Sequence, residues 1–237
     1  MPDADLLTTA RRIVWGKFTN AGQTCIAPDY VLTDAETEKK LVPLLQQAVT
    51  EMFGDDPEQS ESYGRIVNDR HFERVAGLIA SGEATIGGQT NAETRYIAPT
   101  VLTGVAADSP VMQEEIFGPV LPIVRADDLE SAIRFVRSGD KPLAAYIFTK
   151  DKAAETRFLE KVSSGNACVN DCMMFMTVHE LPFGGVGPSG MGNYSGEHGF
   201  RTFSHFKAVM KRGWWPDLDL RYAPYTDKKF SLLRKLR

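Results

Sequence analysis

The stretch VLPIVRADDLESAIRFVRSGDKPLAAYIFTKDKAAETRFLEKVSSGNACV, residues 120–169, alternates two kinds of pattern. Short β-type runs at Val120–Val124, Ala145–Phe148 and Ala167–Val169 are separated by two segments with helical spacing. In the first, Asp127 to Glu130 has the spacing of a capping box ahead of Leu129, Ala132, Ile133 and Val136. The second, 151–162, carries Phe158, Leu159 and Val162. Parallel strands need a crossover between them, and a helix of about 10–15 residues is the usual one. The reading is therefore an α/β fold with a largely parallel sheet and flanking helices.

The same alternation runs upstream. Residues 6–19 place Leu6, Ala10, Ile13, Val14 and Phe18 on one helical stripe. Thr33 to Glu36 reads as a capping box opening a second helix with Leu41, Leu44, Leu45, Ala48 and Met52 inward, and Gly54-Asp55-Asp56-Pro57 stops it. A third helix over 69–80 carries Phe72, Val75, Ala76 and Ile79 and ends at Ser81-Gly82. Tyr30–Leu32, Thr85–Ile86 and Val101–Leu102 read as strands. From about residue 179 glycine, proline and aromatics dominate, which predicts a long ordered loop. No linker or repeat divides the chain, so residues 1–212 read as one domain and 213–237 as a tail.

Composition narrows the class. The 237 residues carry 27 Lys+Arg against 31 Asp+Glu, a formal charge of −4. That balance argues against a domain that binds nucleic acid by neutralising phosphates. Three cysteines, Cys25, Cys168 and Cys172, are too few and too odd for a disulfide scaffold, so a reducing compartment, the cytoplasm, is expected. No apolar run approaches the ~18–20 residues of a membrane span. The acidic start, Met1-Pro2-Asp3-Ala4-Asp5, lacks the layout of a signal peptide.

Gly185-Val186-Gly187-Pro188-Ser189-Gly190 matches the dinucleotide fingerprint G-x-G-x-x-G by letter. The fingerprint works when a strand delivers the glycines and a helix N-terminus receives the pyrophosphate. Here Glu180–Phe183 is a poor strand, and Met191-Gly192-Asn193-Tyr194-Ser195-Gly196 is unsuited to opening a helix. No acid lies about 20 residues on, around His205 and Met210. The segment reads as a glycine-rich packing loop. Cys168 and Cys172, four apart with His179 the nearest further donor, do not make a zinc set, so no metal is expected, and Cys168 reads as a small core residue in its strand.

The stretch Gly16-Lys17-Phe18-Thr19-Asn20-Ala21-Gly22-Gln23-Thr24-Cys25-Ile26-Ala27-Pro28 puts a cysteine just past a helix, on a turn forced by Gly22 and closed by Pro28. Backbone N–H groups at such a turn are able to stabilise a thiolate and an oxyanion beside it. Read from residues alone, Cys25 is either a buried small residue or a nucleophile.

Gly22-Gln23-Thr24-Cys25 resembles the Gly-Gln-x-Cys active-site signature of the aldehyde dehydrogenase superfamily. Glu114-Glu115-Ile116-Phe117-Gly118-Pro119-Val120 is similar to its Glu-x-Phe-Gly-Pro cofactor loop, and residues 182–192 to its late glycine-rich loop. Within the superfamily the likeness is to the class 3 type. It is carried by Cys25-Ile26-Ala27-Pro28-Asp29-Tyr30, by Tyr63-Gly64-Arg65-Ile66 with Asn68-Asp69-Arg70-His71-Phe72, and by Phe203-Ser204-His205.

The resemblance implies that Cys25 attacks an aldehyde carbon, that hydride passes to NAD or NADP, and that the thioester is hydrolysed to a carboxylic acid. It implies that Glu115 bonds the nicotinamide ribose and Phe117 packs by the nicotinamide ring. It also implies a homo-oligomer, a dimer, in the full-length family. Family members have a cofactor domain upstream of the cysteine, with a general-base glutamate and an oxyanion-hole asparagine. Only residues 1–24 precede Cys25 here, so the chain is expected to be the catalytic portion alone, inactive without a cofactor-domain partner. Loss of one oxyanion donor costs about 10²–10³ in rate, and loss of a positioned base about 10²–10⁴. Two other readings stand beside this one: a cofactor-independent thiol esterase, and a non-catalytic truncated or structural module. The basic, amphipathic end from Lys228 to Arg237 suits a terminal helix docked on the fold or on a second subunit, ahead of peripheral contact with an anionic membrane. Trp214-Trp215-Pro216 suggests an aromatic contact at a domain or subunit boundary.

Overall fold

A computed structural model describes residues 1–235. Helices occupy Leu6–Phe18 (α1), Ala35–Phe53 (α2), Asp69–Leu78 (α3), Leu129–Ser138 (α4), Lys152–Lys161 (α5), Gly196–Thr202 (α6) and Asp227–Lys235 (α7). Strands occupy Val31–Thr33 (β1), Glu83–Ile86 (β2), Thr90–Asn91 (β3), Tyr96–Ile97 (β4), Thr100–Thr103 (β5), Val120–Arg125 (β6), Ala144–Ile147 (β7) and Asn166–Val169 (β8). The chain forms two compact units, residues 1–203 and a second from Ser204 on. The expected α/β architecture with parallel pairing dominant is present in the first.

The strands of the 120–169 stretch do not form one ladder. β6 lies between β1 and β5, parallel to both, in a four-stranded sheet of order β1-β6-β5-β2 whose edge strand β2 is antiparallel. β7 and β8 pair parallel with each other, in register from Ala144↔Asn166 to Ile147↔Val169. β6 is buried at five of its six positions, as a central strand covered on both faces must be. The β3–β4 hairpin was not legible, being two residues a side.

Both capping signatures fall one residue later than the spacing suggested. Thr33 is still in β1, and Asp34 caps α2, its carboxylate accepting from the Glu36 and Thr37 N–H groups at 3.0 and 2.9 Å. For α4 the box is Asp128 with Ser131 rather than Asp127 with Glu130. An aspartate is favoured because its charge also meets the positive end of the helix dipole.

The main core joins Ala10, Ile13, Val14 and Phe18 of α1, Leu41, Leu45 and Ala48 of α2, and Val101, Leu102, Leu121 and Ile123 of the sheet. A second cluster unites Ile133, Ala145, Ile147, Phe158 and Val162. Cys168 is only half-buried, contrary to expectation; the fully buried thiol is Cys172, under Gly16, where an added Cβ would meet the Cys172 Cβ at 2.8 Å.

The 179–192 region is ordered loop, but a short helix, α6, does open at Gly196, against the expectation that this stretch cannot start one. No strand element precedes the glycines, only a single bridge from Phe183 to Tyr194. The glycines are tight backbone contacts: a Cβ on Gly184 would lie 2.1 Å from the Gly192 carbonyl oxygen, and one on Gly185 2.0 Å from that of Ser189. In the second unit Trp214 and Trp215 are 99% and 87% exposed. Leu236 and Arg237 of the basic tail lie outside the described residues. No helix among the described residues is long and apolar enough to cross a membrane.

Candidate active site

After α1 the chain reverses through three residues in the left-handed region, Asn20, Ala21 and Gly22, with φ of 54°, 51° and 73°. Asparagine and glycine accept this conformation readily, whereas Ala21 costs about 1–2 kcal/mol there. The reversal is held by reciprocal bonds: Asn20 Nδ2 donates to the Gln23 carbonyl and Gln23 Nε2 to the Asn20 carbonyl, each at 3.0 Å. Gln23 also clamps the segment after Gly64, donating from Nε2 to the Arg65 carbonyl at 3.0 Å and accepting the Val67 N–H at Oε1 at 2.9 Å.

Next comes a turn closed by the Ala27 N–H donating to the Thr24 carbonyl at 3.0 Å. Cys25 and Ile26 are its two central residues, whose N–H groups the turn's own bond does not use. Cys25 is exposed, which removes the buried-residue reading left open above. The other two thiols are pushed up by desolvation and by the charge of Asp171.

A second element meets this turn. A Cβ on Gly22 would lie 2.2 Å from the Gly118 carbonyl oxygen, and one on Gly118 2.6 Å from Val75 of α3. Two glycines therefore let the backbone just before the cysteine turn pack on the backbone of the 114–119 loop, and that loop pack on the Val75 side chain of α3. Arg74 of α3 fixes that loop, donating to Glu114 Oε1 at 3.0 Å and to the carbonyls of Glu115 and Ile116 at 3.3 and 2.6 Å. Asp29 accepts the Ile116 N–H at 3.3 Å. On the loop so held, the Glu115 side chain is exposed, and Phe117, at φ 46°, keeps its ring 39% exposed. Desolvation and then the Asp29 charge push the Glu115 carboxyl up, while Arg74 and Lys17 oppose the rise.

A third element supports the turn from β7. Tyr146 donates its hydroxyl to the Ile26 carbonyl at 2.7 Å, and desolvation pushes this phenol up, with the neighbouring Cys172, Cys168 and Cys25 thiols adding to the rise. Its ring stacks on Phe175, which stacks on Phe183, whose edge meets Tyr194, so an aromatic row links the glycine-rich loop to the cysteine turn.

The structure thus brings the segment that carries Cys25 against the loop of Glu115 and Phe117, through Gly22 on one side of the turn and Asp29 on the other. His179 and His198 are exposed, and no cluster able to hold a metal occurs among the described residues. Arg74, Tyr146 and the ion pair of Lys17 with Asp29 escaped the sequence reading. Lys17 has no exposed surface, and its Nζ lies 3.8 Å from Asp29 Oδ1. Burial pushes its ammonium down to about 8, against the pull of Asp29 and Glu115. The signal was present: Lys17 follows Ala10, Ile13 and Val14 on the inward stripe, where a lysine is out of place.

The family model described as "Aldehyde dehydrogenase family" matches residues 1–209. The chain is 49% identical over 233 residues to "Aldehyde dehydrogenase family 3 member B1" of Rattus norvegicus, covering 98% of this chain and 50% of the rat protein. It is 49% identical over 210 residues to "Aldehyde dehydrogenase, dimeric NADP-preferring" of Bos taurus, covering 89% of this chain and 88% of that sequence. Among solved structures, the substrate-bound state of Staphylococcus aureus AldH superposes with a TM-score of 0.91 at 39% identity, over 100% of this chain and 52% of that one. The chain spans about half the length of the rat and bacterial relatives.

Proposed function

The chain belongs to the aldehyde dehydrogenase family, and from that premise we propose that it is the thiol-bearing portion of an enzyme that oxidises aldehydes to carboxylic acids, with Cys25 as nucleophile. The single observation that supports this reading is the backbone contact between Gly22 and Gly118, which packs the segment carrying the exposed Cys25 on the loop carrying the exposed Glu115 and Phe117.

The Cys25 thiolate adds to the aldehyde carbon: a C–S bond forms and the carbonyl pair moves to oxygen, where the Cys25 N–H, free of the turn's own bond, is able to donate. A soft sulfur suits both ends of the sequence, since it adds readily and later leaves with the C–S pair when water cleaves the thioester. The loop fits one end of a nicotinamide cofactor: Glu115 offers a carboxylate to a ribose diol and Phe117 an apolar face to a ring. When bound, NAD+ or NADP+ supplies a two-electron hydride acceptor. Gly184 and Gly185 of the glycine-rich loop are filled by close backbone contacts within that loop, so the G-x-G-x-x-G letters are not assigned a phosphate.

A cofactor-binding portion completes the enzyme, as does a second copy of the chain in a dimer, the state named for the cattle relative. Three free thiols suit a reducing compartment such as the cytoplasm. The test is acylation of the purified chain with p-nitrophenyl acetate, with the acetyl located by peptide mapping and nucleotide reduction followed in parallel with an aldehyde. The expected result is acetyl on Cys25, lost in Cys25→Ala, with no NADH or NADPH formed by this chain alone. Acylation elsewhere contradicts the nucleophile. Robust nucleotide reduction by this chain alone contradicts the two-part reading.

A further inference from the structure

A lysine with no exposed surface is rare, and Lys17 is the buried side chain with an unmet donor among the described residues. At 3.8 Å its Nζ is an ion-pair partner of Asp29 but donates it no hydrogen bond. A pair of this kind repays its desolvation poorly, so stability alone is a weak reason for it. Its position is more informative. Lys17 sits in the last turn of α1, where the helix dipole favours a cation, directly before the reversal that leads to Cys25. Asp29, its partner, accepts the Ile116 N–H and so touches the loop backbone beside Glu115.

The titratable groups around Lys17 and its partner Asp29 come from several elements. Asp29 and Tyr30 lie on the segment entering β1, Glu115 on the 114–119 loop, and Arg74 on α3, while Cys172 packs against the adjacent Gly16. Lys17 and Asp29 each bear on the ionisation of Glu115, with opposite sign.

We infer that Lys17 is a positioning residue for Glu115: its buried ammonium holds Asp29 under the Glu115–Ile116 peptide and sets the charge and placement of the Glu115 carboxylate. This rests on the reading of Glu115 as a cofactor-facing carboxylate, but it makes a claim of its own, that the α1 terminus and the loop are electrostatically one unit. Deprotonation of Lys17 then removes the cation under the loop.

The test follows the backbone amides of Glu115 and Ile116 by NMR from pH 6 to 10, in the full 237-residue chain and in Lys17→Met. The expected result is a transition with a midpoint of about 8 in both amides, absent in Lys17→Met. Amides that show no such transition, or keep it in Lys17→Met, overturn the inference. Should Lys17→Met not fold, Glu115→Gln, altered only at an exposed side chain, decides the matter through the Lys17 Cε resonance. A lowered Lys17 midpoint supports the coupling, and an unchanged midpoint refutes it. Acylation of Cys25 is scored on the same samples. If Cys25 acylates and the amide transition is missing, only the Lys17 claim fails; if the transition is present and Cys25 does not acylate, only the catalytic reading fails.

Discussion

Replacing Gly22 by alanine should separate the two motifs that build the site. Two costs add. At φ +73° an L-residue loses about 1–2 kcal/mol. The new Cβ would also stand 2.2 Å from the Gly118 carbonyl oxygen and 2.5 Å from its carbon, both backbone atoms with no rotamer to yield. Restoring ordinary contact moves the 114–119 loop away by about 1 Å, an overpacking cost of about 1–3 kcal/mol. The movement also stretches the Ile116–Asp29 bond, already 3.3 Å, and the Arg74 bond to Glu115, also 3.3 Å. Against this, alanine restricts the unfolded chain by about 0.5 kcal/mol. The net expectation is a loss of about 3 kcal/mol. Gly104→Ala is the control: its φ is +65° and nothing lies within 4 Å of an added Cβ, so only the conformational cost applies, about 1 kcal/mol after the same gain from the unfolded chain. Urea unfolding of both variants gives the difference directly. If Gly22→Ala loses no more than Gly104→Ala, and Cys25 alkylates at its wild-type rate, the close packing of turn and loop has no energetic weight.

Three further outcomes follow from the same geometry. Gln23→Ala removes the bonds to the Val67 N–H and the Arg65 carbonyl, which lie near solvent, and should cost about 0.5–1.5 kcal/mol in urea unfolding, with the 65–67 amides losing hydrogen-exchange protection. Tyr146→Phe removes the bond to the Ile26 carbonyl and should cost about 1 kcal/mol while altering the Cys25 alkylation rate, because that carbonyl belongs to the same turn. The Lys17 ammonium, lowered from 10.5 to about 8, is unfavourable in the folded state, so the penalty is fully present below pH 8 and is relieved as pH rises toward 10.5, where the unfolded chain still holds its proton. Stability of the wild type relative to Lys17→Met should therefore rise by about 2–3 kcal/mol between pH 7.5 and 10, and a flat difference across that range contradicts the buried ammonium.

The alternation over residues 120–169 was enough to read the α/β class, because hydrophobic period and capping residues are local properties. Which strands pair is not local: β6 joins β1 and β5, from distant parts of the chain, and that register rests on long-range packing no window contains. The caps shifted by one residue for a similar reason, since the sheet decided that Thr33 would stay in β1. At the candidate site, motif resemblance named Cys25, Glu115 and Phe117, whereas the glycines that join their segments declared themselves only through close approach. Lys17 carried a sequence signal, a cation on an apolar stripe, but its partner Asp29 lies beyond the reversal and no helical spacing relates the two.

That Cys25 is the chain's nucleophile is tested most directly by its alkylation rate with iodoacetamide near neutral pH, resolved by peptide mapping against Cys168 and Cys172 in the native protein. Cys25 is exposed, Cys172 has no exposed surface, and burial pushes both other thiols up. Because only the thiolate reacts, Cys25 should modify at least about tenfold faster than either. Equal rates, or Cys168 reacting first, would contradict the assignment.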